Sequence, residues 1–427
     1  MSSQSVETIP TGYNLYEMSG GGGVWTLTWP NIGIRAKVTR VKTEGDVLKG
    51  EVEFYSTRPN SAGHLKRRRI NFLNPDAKHI NELYKEDEDV NWRHVVEQLS
   101  VAVTDEHRRG IPAIDMTDAF AEDEEARWLI HPLVQVGHPT LVYGKGSSGK
   151  SWLGQYLSVL VHEGLSLGGL TVEQARVLYL DWETDARELR ARLARIRNGL
   201  GLTGSRPPGL VYKAMIQGLS VDIETIQELV QEHNIQFVVI DSVGAACMGE
   251  PESSSSVIEM FNAIRSLGVT TLAIDHINKE GKLFGSEYKF NYSRLIFEAK
   301  KSQEEDDDKL EFAMFHRKAN NSKMIKPLGY VLEFDNERFS TVLTKTAVRD
   351  TKLAGEMTVL AQITSLLRGG PLSVDAIASE IGKSPAHVSK EISTHKVLFV
   401  KLKDGTIANA AHELGDEPTP GVYEYEA

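Results

Sequence analysis

The stretch Thr140-Leu-Val-Tyr-Gly-Lys-Gly-Ser-Ser-Gly-Lys-Ser151 decides how the rest of the chain is read. From Gly144 to Ser151 it fills the phosphate-loop pattern G-x-x-x-x-G-K-[ST]. Glycine tolerates positive φ, so the backbone N–H groups of such a loop can turn inward around a phosphate. Gly144, Gly146, Ser147, Ser148 and Gly149 form the expected cradle, with Lys150 reaching the β- and γ-phosphates of ATP. The Ser151 hydroxyl can take one Mg²⁺ position. The flanks support the motif. Thr140–Tyr143 reads as a short buried strand, and Trp152–Val161 as an apolar-faced helix. Strand, glycine loop and helix in that order put a phosphate at a helix N-terminus. A chance glycine-rich turn would carry neither flank.

Working outward, residues 129–344 alternate strand and helix patterns, which implies a mostly parallel sheet covered on both faces. Strands are expected at 140–143, 176–181, 210–214, 236–241 and 269–275. Helices are expected at 150–163, 185–199, 221–233 and 254–267. The later stretches 292–299, 309–316 and 328–343 read as hairpin strands that extend the sheet.

Three of these strands end in chemistry. Gln236-Phe-Val-Val-Ile-Asp-Ser242 is an apolar strand ending in an acid, a Walker B pattern, and Asp241 would hold Mg²⁺ through water beside Ser151. Val177-Leu-Tyr-Leu-Asp-Trp-Glu183 ends in two acids, of which Glu183 is the candidate base for orienting water and Asp181 the weaker choice. Thr271-Leu-Ala-Ile-Asp-His276 ends in a histidine placed to sense the γ-phosphate.

Composition bounds the rest. The chain has 427 residues, 41% hydrophobic and 25% charged, which suits a globular protein of two or three domains. No apolar run approaches the roughly 18 residues of a membrane helix, and Met1-Ser-Ser-Gln-Ser-Val-Glu7 does not show the charged-then-apolar pattern expected of a signal peptide. The single cysteine, Cys247, excludes an internal disulfide and a cysteine-rich zinc site. A net charge of −11 disfavours indiscriminate coating of nucleic acid but permits a local basic groove.

Residues 1–23 read as a flexible leader and 24–109 as a small β-rich α+β domain, with strands followed by helices around 76–86 and 91–108. Its basic run Lys66-Arg67-Arg68-Arg69, beside Arg35, Lys37, Arg40 and Lys42, fits either phosphate contact or an ordinary solvated sheet face. An acidic linker, 110–128, leads to the α/β domain, and a second linker covers 345–356. Residues 357–412 pattern as three helices and a hairpin, a winged helix-turn-helix, with Ser373 and Ser384 as N-caps and Pro385 at the first helical position. Lys383, His387 and Lys390 around its third helix could grip DNA, although such modules also dock proteins. Residues 413–427 form an acidic tail.

Taken in order, the phosphate loop and the strand ends at Glu183, Asp241 and His276 resemble those of the RecA-like ATPases. Within that superfamily the likeness is to the RepA-type plasmid and phage hexameric helicases and their AAA relatives, over roughly 129–343. The resemblance implies a RecA-like core and a homo-oligomeric ring, usually a hexamer, with ATP between subunits. It implies Glu183 as catalytic glutamate, Asp241 as Walker B acid and His276 as sensor. It also implies a basic finger reaching the neighbouring subunit from Phe315-His-Arg-Lys-Ala-Asn320, either Arg317 or Lys318. In such rings the loops after the Walker B and sensor strands carry nucleic acid. Here the first, Met248–Ser256, is acidic, a departure that weakens the translocation reading. The second offers Lys279, Lys282 and Lys289. Two functions follow as expectations for a cytoplasmic protein of a prokaryotic or phage-infected cell. One is an ATP-hydrolysing ring motor on DNA, a helicase or helicase loader. The other is an ATP-switched DNA-binding regulator or scaffold with little unwinding.

Overall fold

The computed structural model describes residues 16–21, 23–59, 61–110, 126–202, 210–247, 253–278, 283, 287–303, 307–320 and 322–410. The N-terminal part is an antiparallel meander of β1 (Glu17–Gly21), β2 (Val24–Trp29), β3 (Ile34–Glu44), β4 (Val47–Ser56) and β5 (His64–Asn71). Strand β4 alternates half-buried and buried residues along its whole length, as the period-two pattern requires. Helices α1 (Ala77–Tyr84) and α2 (Trp92–Arg109) follow, and Trp92, Val95, Val96, Leu99 and Val103 of α2 close the core over Leu27, Trp29 and Phe54. Two expectations change here. Glu17–Gly21, read as leader, is a strand paired with β2 from Glu17↔Thr28 to Gly21↔Val24. Arg68, read as an exposed cation, is buried toward α1, with its guanidinium 3.9 Å from Glu82. The bare charge run hid the strand phase, which turns Arg67 and Arg69 outward and Arg68 in.

The central domain starts with β6 (Trp128–His131) and β7 (Val134–Gln135), which join β9 (Thr171–Val172) in a three-stranded sheet that the sequence did not reveal. Its main sheet contains β8 (Pro139–Gly144), β10 (Val177–Asp181), β11 (Val211–Ala214), β12 (Phe237–Asp241), β13 (Thr270–His276), β14 (Leu295–Ser302), β15 (Lys309–Ala319), β16 (Leu328–Asp335) and β17 (Ser340–Thr346). Their order is β11-β10-β12-β13-β8-β14-β15-β16-β17. The first six are parallel and the last three antiparallel, so the mostly parallel α/β core is as expected.

Five of the helices between these strands are α3 (Lys150–Glu163), α4 (Ala186–Gly199), α5 (Leu219–Glu232), α6 (Val243–Ala246) and α7 (Ser254–Ser266); the short α8 (Tyr288–Tyr292) precedes β14. Strands β10 and β12 are buried at every position because both faces are covered. Tyr179 and Val239 face one core with Leu153, Tyr156 and Leu160 of α3. Leu178, Val238 and Ile240 face the other, with Ile226 of α5 and Phe261 of α7. Each crossover helix thereby shields one sheet face, and every parallel strand ends on the same edge as the phosphate loop.

Residues 357–410 have their own core of Ile363, Ile377, Val388, Phe399 and Ile407. It is built by α9 (Val359–Leu366), α10 (Val374–Ile381), α11 (Pro385–Thr394) and a hairpin of β18 (Phe399–Lys401) with β19 (Ile407–Asn409). Ser373 and Ser384 cap α10 and α11 through the Ala376 and His387 N–H groups, as the sequence suggested. Among the described residues no helix is long and apolar enough to cross a membrane.

Candidate active site

The phosphate loop joins β8 to α3. Gly149 has φ +82° and Ser147 φ +56°, left-handed conformations that turn the loop. At Gly144 a Cβ would lie 2.3 Å from the Ala299 carbonyl oxygen of neighbouring β14, so only glycine fits there. Lys150 is buried, and its ammonium donates to the carbonyls of Gly144 (3.1 Å) and Lys145 (2.7 Å). Burial lowers its pKa, opposed by the negative charges of Asp241, Glu183 and Asp275.

Parallel registration brings the other candidates together. Asp181 pairs with Asp241 across β10 and β12, and His276 pairs with Gly144 across β13 and β8. Asp181 is structural: its carboxylate accepts from the Glu183 and Thr184 N–H groups (2.9 and 3.0 Å) and from the Thr184 hydroxyl. That turn throws Glu183 outward, where its Oε1 sits 2.9 Å from His276 Nε2. The bond to His276 is the main reason the Glu183 carboxyl is lowered to about 2, with Ser242 and Lys150 adding to it. Glu183 is thus ionised at any neutral pH, as an acceptor for a water proton must be.

Asp241 is buried, and burial raises its pKa, while the Tyr179 phenol and the neighbouring Ser151 hydroxyl favour its charged form. Tyr179 donates its phenol hydrogen to Oδ2 at 2.7 Å, and Oδ1 is buried without a hydrogen-bond partner. An orphaned carboxylate oxygen beside Ser151 fits Mg²⁺. Among the described residues no three His, Cys, Asp or Glu side chains converge as metal ligands. Ser151 and Asp241 would therefore hold the ion, with phosphate oxygens and water completing its shell, the usual pattern for this cation.

The family model of the AAA domain (AAA_25) matches residues 105–282, which contain all four motifs. The matched residues fall in the P-loop ATPase class. No curated protein matches the chain. Among solved structures, a KaiC-like protein from the hyperthermophilic archaeon Pyrococcus horikoshii OT3 is 17% identical with a TM-score of 0.37, covering 50% of this chain and 93% of that one. The flagellar accessory protein FlaH of Methanocaldococcus jannaschii is 13% identical with a TM-score of 0.34, covering 49% and 90%.

The remaining site residues of this ATPase divide by exposure. Arg317 lies at an exposed position of β15, where Nε and Nη2 donate to Glu298 Oε2 at 2.9 and 2.5 Å. Lys318 donates to three backbone carbonyls of its own chain, those of Phe290, Asn291 and Ser293. Lys289 requires a correction. Expected to touch nucleic acid, it is fully buried and bonds Asp275 at 2.8 Å. Lys279 and Lys282 lie outside the described residues.

Arg67 is exposed and pairs with Glu51 and Glu53 of the adjacent strand. Its neighbours Lys37, Arg40 and Lys42 approach Glu228 (3.3 Å) and Glu224 (3.8 and 3.9 Å) of α5 in the ATPase domain. Lys383, His387 and Lys390 are all exposed at α11. The sequence reading missed Tyr179 and Asp275. Tyr179 looks like a core position in an apolar run and Asp275 like one of the polar residues that end a strand, and only the neighbouring strand or helix reveals their partners.

Proposed function

We propose that the protein is a magnesium-dependent ATP hydrolase that assembles as a ring, hexameric as in the RepA-type helicases it resembles, and acts on DNA as a helicase or helicase loader. The observation that carries the hydrolytic part is the Glu183–His276 contact, on strand ends that the parallel register sets beside the phosphate loop and Asp241. Lys150 neutralises charge on the β- and γ-phosphates. Mg²⁺, held by Ser151 and Asp241, would supply Lewis-acid neutralisation of the phosphate oxygens. Glu183 orients the attacking water and accepts a hydrogen bond from it. His276 touches Glu183 directly, so the γ-phosphate can be coupled to that carboxylate through one side chain. Arg317, at an exposed position of β15, is the better placed of the two basic candidates to serve a neighbouring subunit's site, because Lys318 is held by three backbone carbonyls of its own chain.

The DNA part rests on the exposed Lys383, His387 and Lys390 of the C-terminal module, read as a winged helix, and on the family likeness. The test is ATP turnover with and without single- and double-stranded DNA at low salt. Stimulation is expected, and identical turnover in all three conditions rejects DNA as the target. One observation favours the alternative, an ATP-switched DNA-binding regulator with little unwinding. Several cations that would line a DNA track are used internally: Lys289 by Asp275, and Lys37, Arg40 and Lys42 by α5. Strand displacement separates the two: a motor displaces a strand with ATP, and the regulator binds DNA without doing so.

A further inference from the structure

Tyr179 reaches across from β10 to the Walker B acid. It is fully buried and faces α3, and it pairs with Val239, two residues before Asp241, in the parallel register. Its hydroxyl donates to Asp241 Oδ2 at 2.7 Å, and the Gln155 side chain of α3 engages the same phenol oxygen. Gln155 is itself buried and lies one helical turn beyond Ser151, so the helix that carries Ser151 and the strand end that carries Asp241 meet at one phenol. The consequence is geometric. With Oδ2 fixed, the carboxylate cannot rotate without losing the phenol bond and leaving a buried oxygen unsatisfied. The oxygen that stays open is Oδ1.

We infer that Tyr179 is a positioning residue for the nucleotide-bound Mg²⁺: its phenol locks Asp241 so that Oδ1 is presented to the ion. This rests on the reading of Asp241 as the metal's carboxylate. Outer-shell partners of metal-binding carboxylates typically contribute about 10- to 100-fold in metal affinity. A phenylalanine would fill the same space and remove only the donor.

The experiment uses the full chain and calorimetric ADP binding, once with excess EDTA and once with excess Mg²⁺. The ratio of the two affinities measures how much the metal tightens the nucleotide. For Tyr179→Phe, the affinity in EDTA is expected to match wild type, and the Mg²⁺-dependent tightening to fall about 10- to 100-fold. Asp241→Asn should remove that tightening. A Tyr179→Phe variant that keeps the wild-type ratio, whatever its melting temperature, overturns the inference. If Asp241→Asn also keeps it, the assignment of Asp241 is wrong as well. If only Tyr179→Phe keeps it, the metal site stands and the phenol's role falls.

Discussion

At the scale of single residues, the Glu183–His276 contact makes two measurable statements. Glu183→Gln removes the charge proposed to orient water but leaves the phosphate loop unaltered in sequence. ATP turnover should fall about 100- to 10,000-fold while nucleotide still binds, which single-turnover and binding measurements would separate. The second statement concerns pH. Because Glu183 drops from 4.5 to about 2 in the folded chain, its contribution to stability is present above the ordinary carboxylate range. That contribution is lost as pH falls from about 4.5 through about 2. The largest cause is His276, so His276→Ala should narrow the gap between folded and unfolded pKa. The melting-temperature difference between wild type and variant should be greatest above pH 4.5 and shrink below it. The effect is small, since Glu183 is over a third exposed and water screens it. A difference that grows on acidification would contradict the assigned cause.

At the scale of elements, the end of β13 is held by an ion pair with no solvent access. Asp275 Oδ2 bonds Lys289 of α8, and Asp275 Oδ1 accepts the N–H of His276. Burial raises the pKa of Asp275, opposed by the Lys289 charge. Removing one partner leaves an uncompensated buried charge, which typically costs about 3–5 kcal/mol. Lys289→Met should therefore destabilise the chain by that order in denaturant unfolding, and Asp275→Asn with Lys289→Met should recover much of the loss. No recovery in the double variant would mean that Lys289 acts through its packing alone. Helix α8 and strand β13 are joined here by chemistry that an apolar strand pattern does not announce.

For the whole molecule, the proposed ring makes hydrolysis a property of assembly. Lys150→Ala subunits mixed with intact ones should depress activity more steeply than their fraction, because a defective neighbour spoils a shared site. A loss strictly proportional to the mutant fraction would indicate that each subunit works alone. The N-terminal domain meets the ATPase domain through half-exposed charges, Lys37 with Glu228 and Arg40 and Lys42 with Glu224. Burial raises the pKa of Glu224, and the facing Lys42 and Arg40 oppose that shift. These cations, legible in the sequence as a basic strand, serve contact between domains.

The sequence by itself determined the α/β order, the phosphate loop, the acids at the ends of β10 and β12 and the N-caps at Ser373 and Ser384. These signals are local: a glycine spacing, a strand period and a residue type at a helix start. Tertiary structure alone decided which charges are free. Arg68 turns inward by strand phase, Lys289 finds Asp275 through the fold, and Lys37 finds Glu228, 191 residues away in the chain. Tyr179 and Asp241 become partners only because β10 and β12 are neighbours in the sheet. A charge is free or spent according to what sits within a few ångströms of it, and the local pattern of a chain does not carry that distance.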